Sequence, residues 1–272
     1  MKKIIASILF ILFLLPLASA SYISLTTTVK SGTIFNKTTD LYVSIEQHGD
    51  EAAYDVSVIP LLPDFFSYQG SLSKERLDPQ KKLEGNFTIN ILNKILPGQY
   101  PAVLKVIYHD ANMYPFSTIS PYLITYKEKV NSGVYGTISD LEIAKKGSGN
   151  LVLDVRNLDE IQHDINIKLY LPNELKSENM EKHLTIGPKE EKQVKYEVSS
   201  FGALTGSSYS IFASIEYEDD YHYTTFARGL VKIIEKKENP HFLWFLIVLF
   251  AVLLLVFVYF KIRSGRHEKK QS

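Results

Sequence analysis

The middle of the chain is one unit used twice, and this repeat constrains the fold more than any other feature of the sequence. The segment Tyr54–Val58 matches the segment His163–Ile167 at an offset of 109 residues. Six further landmarks keep the same offset along both halves: Leu62-Pro63 with Leu171-Pro172, Phe87 with Tyr196, Ile89 with Val198, Tyr100 with Tyr209, Tyr108 with Tyr217, and Asp110 with Asp219. A register kept over so long a stretch indicates a duplicated domain of about 105–110 residues.

Within each copy, apolar and polar residues alternate in short runs, for example with apolar side chains at Leu41, Val43 and Ile45. Such alternation is typical of β-strands with one face on a core, and the repeated region offers no long amphipathic helix. With about seven strands in each copy, the pattern predicts an all-β fold of two tandem Ig-like antiparallel β-sandwiches, over residues 21–127 and 134–235. The short linker, residues 127–133, favours an end-to-end arrangement of the two.

The segment Leu96–Tyr100 is a turn followed by a tyrosine that opens a strand. This pattern resembles a tyrosine corner, in which the hydroxyl bonds to the backbone upstream and ties a crossover to the sandwich. We therefore expect this hydrogen bond at Tyr100, with Tyr209 in the matching position of the second copy.

The N-terminal segment, residues 1–20, has the organisation of a cleaved secretory signal peptide. Lys2 and Lys3 precede an apolar run, and the small residues Ala18-Ser19-Ala20 end it. The alternative is an uncleaved membrane anchor.

The C-terminal part of the chain predicts a membrane span. Phe242–Phe260 is 19 residues without a charge, a glycine or a proline. At about 1.5 Å per residue it matches the ~30 Å hydrocarbon core of a bilayer, so we predict a transmembrane helix over residues 241–260. The basic tail, residues 261–272, has a net charge of plus four, against plus one for residues 232–238. The positive-inside tendency then predicts a single-pass type I protein of the cell membrane, with an extracytoplasmic N-terminal region and a cytoplasmic C-terminus.

Charge and composition exclude several classes of function. Lys+Arg and Asp+Glu balance at 30 each, and the positive segments at the two ends leave residues 21–240 at a net charge of minus six. We therefore expect no nucleic-acid partner. The absence of cysteine excludes disulfide scaffolds, thiol nucleophiles and thiolate metal sites, and favours a prokaryotic surface. The triplets that begin at Asn36 and Asn86 fit the N-glycosylation pattern.

A series of motifs in the first copy is typical of one kind of Ig-like module. The series consists of the strand residue Ile45, the turn Gly49-Asp50, the segment Ala53-Tyr54-Asp55-Val56, and Leu62-Pro63. It resembles the modules called CARDB-like or alpha-galactosidase-associated, which occur in tandem in archaeal and bacterial surface proteins. The resemblance implies a β-sandwich and leaves function open. The overall plan is also similar to that of the translocon-associated protein beta subunits, which have one such module, a single span and a basic tail.

Two groups of aromatic residues are candidate partner-binding sites. Phe66 and Tyr68 lie in a turn-rich segment that has no aromatic counterpart in the second copy, and Tyr114 and Phe116 lie at a hairpin tip. Exposed aromatic rings are typical contacts for a protein, peptide or glycan partner. For the neighbouring Phe65 we expect instead a plug at the open end of its own sandwich.

The sequence favours a non-enzymatic protein without a metal or a cofactor. One acidic hairpin offers carboxylates that suit calcium, but it lacks the spacing of a calcium loop, and we interpret it as a solvated turn: Glu216, Glu218, Asp219, Asp220 and His222, with His109-Asp110 as its counterpart. The sequence has no G-x-S-x-G motif, and short loops favour no deep cleft with paired carboxylates.

Two functions remain open at this point. The first is a membrane-anchored surface or envelope protein whose Ig-like modules bind a protein or a cell-surface polymer. The second is an accessory subunit of a membrane translocation or export complex, whose span docks against partner helices. The span contains no glycine or serine for close helix packing, which favours the first.

The mature protein is predicted to begin at Ser21, because signal peptidase accepts the small residues that end at Ala20. Intact-mass measurement of the protein purified from membranes checks this. A mature chain that still begins at Met1 would show an uncleaved anchor instead.

Overall fold

The period-two alternation of the sequence folds into β-strands, and the predicted all-β class is confirmed. The computed structural model describes residues 22–235 and, beyond them, the single helical positions Phe245, Val248 and Val252. The predicted signal peptide, residues 1–20, lies outside the described residues, and so does the predicted span apart from those three positions. Among the described residues, no helix has the length and apolar character needed to cross a membrane.

Seventeen strands run through residues 22–235, eight in the first copy and nine in the second. The first copy contains β1 (Leu25–Ser31), β2 (Thr38–Gln47), β3 (Ala53–Leu61), β4 (Phe66–Gln69), β5 (Leu72–Leu77), β6 (Lys82–Ile91), β7 (Gly98–His109) and β8 (Pro115–Tyr126). The second contains β9 (Val134–Ile138), β10 (Leu141–Ala144), β11 (Ser148–Asn157), β12 (His163–Tyr170), β13 (Leu175–Lys176), β14 (Glu181–Ile186), β15 (Glu191–Ser200), β16 (Ser208–Glu218) and β17 (His222–Ile234).

The strands form sandwich-like sheets in both copies. In the first copy, one layer is the sheet β1-β2-β6-β4, and the facing layer consists of β8, β7, β3 and β5. In the second copy, one layer is the sheet β13-β15-β11-β9, and the facing layer consists of β10, β17, β16, β12 and β14. The second layers of the two copies belong to one nine-stranded sheet, because β17 and β7 meet in a parallel pair at His222 and Gly98. Gly98 has a φ of +145°, and a Cβ there would overlap the His222 carbonyl, so this close approach requires glycine.

Each copy encloses its own hydrophobic core, since the buried apolar side chains form one cluster per copy. The first includes Leu41, Phe87 and Leu104, and the second includes Leu151, Tyr196 and Ile211. A small third cluster at the junction of the copies draws on both: Val103 and Ile119 from the first, Tyr170 and Phe212 from the second.

The two copies lie side by side, and the expectation of an end-to-end arrangement is wrong. The hairpin tip of each copy reaches the base of the other: the His222 N–H donates to the Pro97 carbonyl (2.9 Å), and the Tyr114 hydroxyl donates to the Gly202 carbonyl (2.5 Å). A short linker limits the distance between two domains but not their direction. Here the linker itself packs on the second copy, where the Gly133 N–H donates to the Tyr217 hydroxyl (2.8 Å).

A buried amide side chain holds the turn that follows β2 in the first copy and the turn that follows β11 in the second. In the first copy, Gln47 donates to the Glu51 carbonyl (2.6 Å) and accepts from the Gly49 N–H (2.8 Å). In the second, Asn157 donates to the Ile161 carbonyl (2.7 Å) and accepts from the Asp159 N–H (2.9 Å). Both amide side chains are fully buried, and the backbone groups of the two turns satisfy their polar atoms.

The predicted tyrosine corner is present in the first copy, where the Tyr100 hydroxyl donates to the Leu96 carbonyl at 2.6 Å. In the second copy the buried Tyr209 hydroxyl lies near Ser207 and Leu204 but makes no hydrogen bond of normal geometry to either. The carbonyl of Leu204 accepts instead from the Ser207 N–H (3.2 Å), because the turn before Tyr209 has a different sequence.

The substitution Tyr100→Phe is expected to lower the free energy of unfolding by about 1 kcal/mol, because it removes a made hydrogen bond and keeps the ring. The matched control Tyr209→Phe removes a hydroxyl without a partner and is expected to cost less. Urea unfolding of both variants checks this, and equal losses would show that the corner bond contributes nothing.

Candidate functional site

The aromatic residue Phe66 is a core residue and not an exposed contact, which corrects its prediction as a partner-binding residue. Its side chain is 5% exposed and takes the place that Leu175, 3% exposed, has in the second copy. The plug role expected for Phe65 therefore belongs to Phe66, because the strand that begins there turns this ring inward. Phe65 is half-buried beside it, with its ring 5.2 Å from that of Tyr100.

Tyr68 keeps 40% of its surface exposed, and its ring packs edge-on against Phe87 at 5.7 Å. One face of the first sandwich is therefore covered by the Tyr68 ring, and the outer edge of this ring remains accessible to solvent.

The hairpin-tip residues Tyr114 and Phe116 are partly buried. Tyr114 bonds to Gly202 of the second copy, and the Phe116 ring stacks on Tyr108 at 5.6 Å. The neighbour that the tip contacts through Tyr114 is thus the other half of the same chain.

The two asparagines of the glycosylation triplets are exposed. Asn36 lies in the loop before β2, and Asn86 lies on β6 opposite Tyr42. Glycan attachment at these positions stays a prediction.

The acidic hairpin of the second copy holds buried histidines between carboxylates. His222 lies 3.1 Å from a Glu218 oxygen and 3.3 Å from a Glu216 oxygen, and its ring stacks on Tyr100 at 4.0 Å. His163 lies 2.9 Å from Asp159 and 3.2 Å from Asp219. Glu218, Asp219 and Asp220 are exposed, as expected for a solvated turn, and the buried rings of His163 and His222 attach this turn to the fold. Among residues 22–235, no group of three or more histidine and acidic side chains has the geometry to hold a metal ion.

A buried carboxylate links the two copies at the other end of β7 and β8, near the tip of the hairpin that joins these two strands. Glu174, which is 4% exposed, accepts from the Ser117 N–H (2.6 Å) and from the Ser117 hydroxyl (2.8 Å). The Ser117 oxygen in turn accepts from the Asn173 N–H (2.7 Å), and the Lys105 ammonium donates to the Asn173 side chain (2.9 Å). Burial raises the pKa of Glu174 above its ordinary value, against the bonds from Ser117, and burial lowers the pKa of Lys105.

A groove of about 650 Å³ opens next to this link, between β15 and the β13–β14 connection. Four lysines and two glutamates lie along it: Lys105, Lys176, Lys182, Lys195, Glu178 and Glu197. None of the ion pairs among the described residues includes any of these lysines, whereas Lys168, Lys189 and Lys192 are all paired. The groove is therefore a basic concavity in a region of net negative charge, and its volume falls within the roughly 300–1,000 Å³ of ligand clefts.

The groove exists because the second copy lacks the side chains that close the first. In the first copy the β4–β5 segment lies against β6, so closely that a Cβ at Gly85 would be 2.8 Å from Leu72 Cδ1. At the offset of 109, Val194 replaces Gly85, Glu181 replaces Leu72 and Ser177 replaces Tyr68. Val194 is buried, and Glu181 turns outward to pair with Lys168 at 2.6 Å. The side chain of β14 that lies on β15 is that of Lys182, so a polar group replaces the apolar cover that Leu72 gives to β6.

Tyr196 lies at the inner wall of the groove, where Phe87 lies under Tyr68 in the first copy. Its hydroxyl is buried and has no hydrogen-bond partner, and burial raises its pKa to about 12, so it stays protonated. The Lys182 ammonium lies over its ring at 4.7 Å. Sequence reasoning missed this groove, although Ser177 at the position of Tyr68 was a visible signal.

No family model matches the chain, and no curated protein matches it. Among solved structures it is similar to the GAE domain of GGA2p from Saccharomyces cerevisiae, at 11% identity over 40% of this chain and 99% of that chain, with a TM-score of 0.29. A protein of unknown function from Porphyromonas gingivalis W83 is 11% identical over 75% of this chain and 98% of that one, with a TM-score of 0.29. Trypsin-activated alpha-2-macroglobulin from Escherichia coli is 13% identical over 78% of this chain and 18% of that one, with a TM-score of 0.30. Similarity at these TM-scores carries no argument, so the resemblance to CARDB-like modules stays a prediction.

The raised pKa of Glu174 predicts a pH dependence of folding that Glu174→Gln removes. A carboxyl whose pKa is higher in the folded state favours folding while protonated, and this contribution is lost as the pH rises from its ordinary value through the raised one. The free energy of unfolding of the wild type is therefore expected to fall over this window relative to that of Glu174→Gln. Urea titrations across the window check this, with the exposed Glu75→Gln as a charge-matched control. A variant with the wild-type pH slope would contradict the assignment.

Proposed function

We propose that this chain is a non-enzymatic, type I membrane-anchored surface protein that binds an anionic partner, either a protein or a cell-surface polymer, through its lysine groove. The observation that carries the proposal is that none of the four lysines along the groove takes part in an ion pair among the described residues. Ammonium groups outside ion pairs attract an acidic ligand, and this attraction is strongest where a concave wall excludes water.

The anchoring part of the proposal rests on the sequence. A signal peptide over residues 1–20 and a span over residues 241–260 would hold the paired sandwiches outside the membrane, with the tail 261–272 inside. Anchoring suits a binding protein, because confinement near a surface raises the effective concentration of a ligand on that surface.

The test captures partners from native membranes by crosslinking to the full-length chain. The charge reversal Lys182→Glu with Lys195→Glu is expected to remove the partner, because it replaces attraction by repulsion at the groove. Lys30→Glu with Lys74→Glu, two exposed lysines of the first copy, is the matched control and is expected to retain the partner.

A scrambled Phe242–Phe260 segment of equal hydrophobicity separates this proposal from an accessory subunit of a translocation or export complex. The groove proposal expects the scrambled chain to keep its partner. Loss of the partner on scrambling, together with its retention in the groove variant, would contradict the proposal and favour the membrane complex.

A further inference from the structure

The outer edge of β15 is an open sheet edge. In the order β13-β15-β11-β9, β11 pairs with β15 from Glu191 to Ser199, whereas β13 pairs only with Ser199 and Ser200. In the first copy β4 covers four residues of β6 and the following segment lies on the strand, as described above. Residues 191–198 of β15 therefore have no strand partner on their outer side among the described residues.

The backbone groups on this edge point into the groove. The Lys195 carbonyl accepts a hydrogen bond from the Lys182 ammonium at 2.5 Å, so it faces away from β11. Backbone groups alternate sides along an antiparallel strand, so those of Gln193 and Glu197 face the same way. Pairing of Ser199 with Lys176 on this side fits the same alternation.

We propose that the groove takes an extended acidic peptide segment of a partner protein, which adds to the outer edge of β15 as a further antiparallel or parallel strand. This inference rests on the proposed function and chooses the protein over the polymer, because an open strand edge offers main-chain hydrogen bonds that a polysaccharide cannot match in register.

The two faces of the added strand meet different surroundings, which predicts the pattern of the peptide. Every second side chain of an added strand points inward, where Leu171, Leu175 and Tyr196 line the groove. The other side chains point outward beside Lys176 and Lys195, which are themselves exposed. The segment is thus expected to alternate apolar and acidic residues.

Lysines also give the edge its selectivity. They repel a basic segment that approaches the edge. An acidic strand reverses this effect, since its carboxylates pair with ammonium groups that are in no ion pair. The incoming N–H takes the Lys195 carbonyl from Lys182, and this ammonium is then released to a carboxylate.

The test measures binding to the purified full-length protein by fluorescence anisotropy, with a labelled octapeptide of alternating Glu and Val as the probe. The double variant Lys182→Glu/Lys195→Glu is expected to weaken binding by about tenfold or more. The control Lys30→Glu/Lys74→Glu is expected to leave it unchanged. Hydrogen exchange in the wild type is expected to slow across residues 191–198 when the peptide is bound.

Two backbone-methylated probes separate strand addition from simple charge attraction. One carries N-methyl groups on every Glu and the other on every Val, so only one of them blocks the N–H groups that face β15. Strand addition predicts that one form loses binding and the other keeps it. Equal binding of both forms, or equal loss of both, would overturn strand addition.

Dextran sulfate serves as the polymer arm of the test. Groove-dependent binding of dextran sulfate without binding of the peptide would overturn strand addition and keep the proposed function. If neither the peptide nor dextran sulfate binds, both strand addition and the proposed function are overturned. The same holds if a ligand binds and the groove variant Lys182→Glu/Lys195→Glu does not weaken that binding.

Discussion

Every antiparallel sandwich has to satisfy or shield the backbone groups along the open edges of its sheets, and this constraint organises the present molecule. A bare N–H or C=O group in an apolar surrounding is costly, and a bare edge in water invites pairing with another chain. The first copy meets the constraint with its own residues, since β4 pairs with β6 and Leu72 packs onto Gly85. The second copy leaves β15 exposed behind four lysines.

The link between the copies fixes the position of the groove. Glu174 accepts two hydrogen bonds from Ser117 of the first copy, and the next residues along the chain, Leu175 and Lys176, form β13. Lys105, also from the first copy, lies at the groove and bonds to Asn173. The first sandwich therefore supports one wall of the groove, although the open edge belongs to the second.

Much of the fold could be predicted from the sequence. The alternation of residues such as Leu41, Val43 and Ile45 gave the strands, and the turn before Tyr100 gave the corner bond, because both signals are local. The side-by-side arrangement could not be predicted, since it depends on contacts such as Tyr114 with Gly202 that are distant in sequence. Likewise, which of Phe65 and Phe66 is buried depends on where β4 begins, and a shift of one residue reverses the two faces.

The sequence prediction looked for the site among aromatic residues of the first copy, whereas the lysine groove lies mainly on the second copy. Aromatic residues present only in the first copy, Phe66 and Tyr68, suggested a binding surface, but they close their own sandwich. The informative signal is the replacement of Tyr68 by Ser177 and of Leu72 by Glu181 in the second copy, where residues 191–198 of β15 have no strand on their outer side among the described residues. A duplicated domain thus offers an internal reference. The first copy shows which residues cover the sheet edge, and the second shows the groove that forms where these residues are replaced.

Disulfide trapping tests the central claim most directly, because the chain has no cysteine of its own. A single Glu197→Cys substitution is placed on the open edge, and Thr88→Cys is its matched control at the same position of the first copy, where β4 already pairs. The probes are alternating Glu/Val peptides that each carry one cysteine at a different position. The account predicts that the yield of disulfide at position 197 rises and falls with the position of the peptide cysteine, and that little disulfide forms at position 88. Equal trapping at the two positions, or trapping at 197 without dependence on the peptide position, would contradict it.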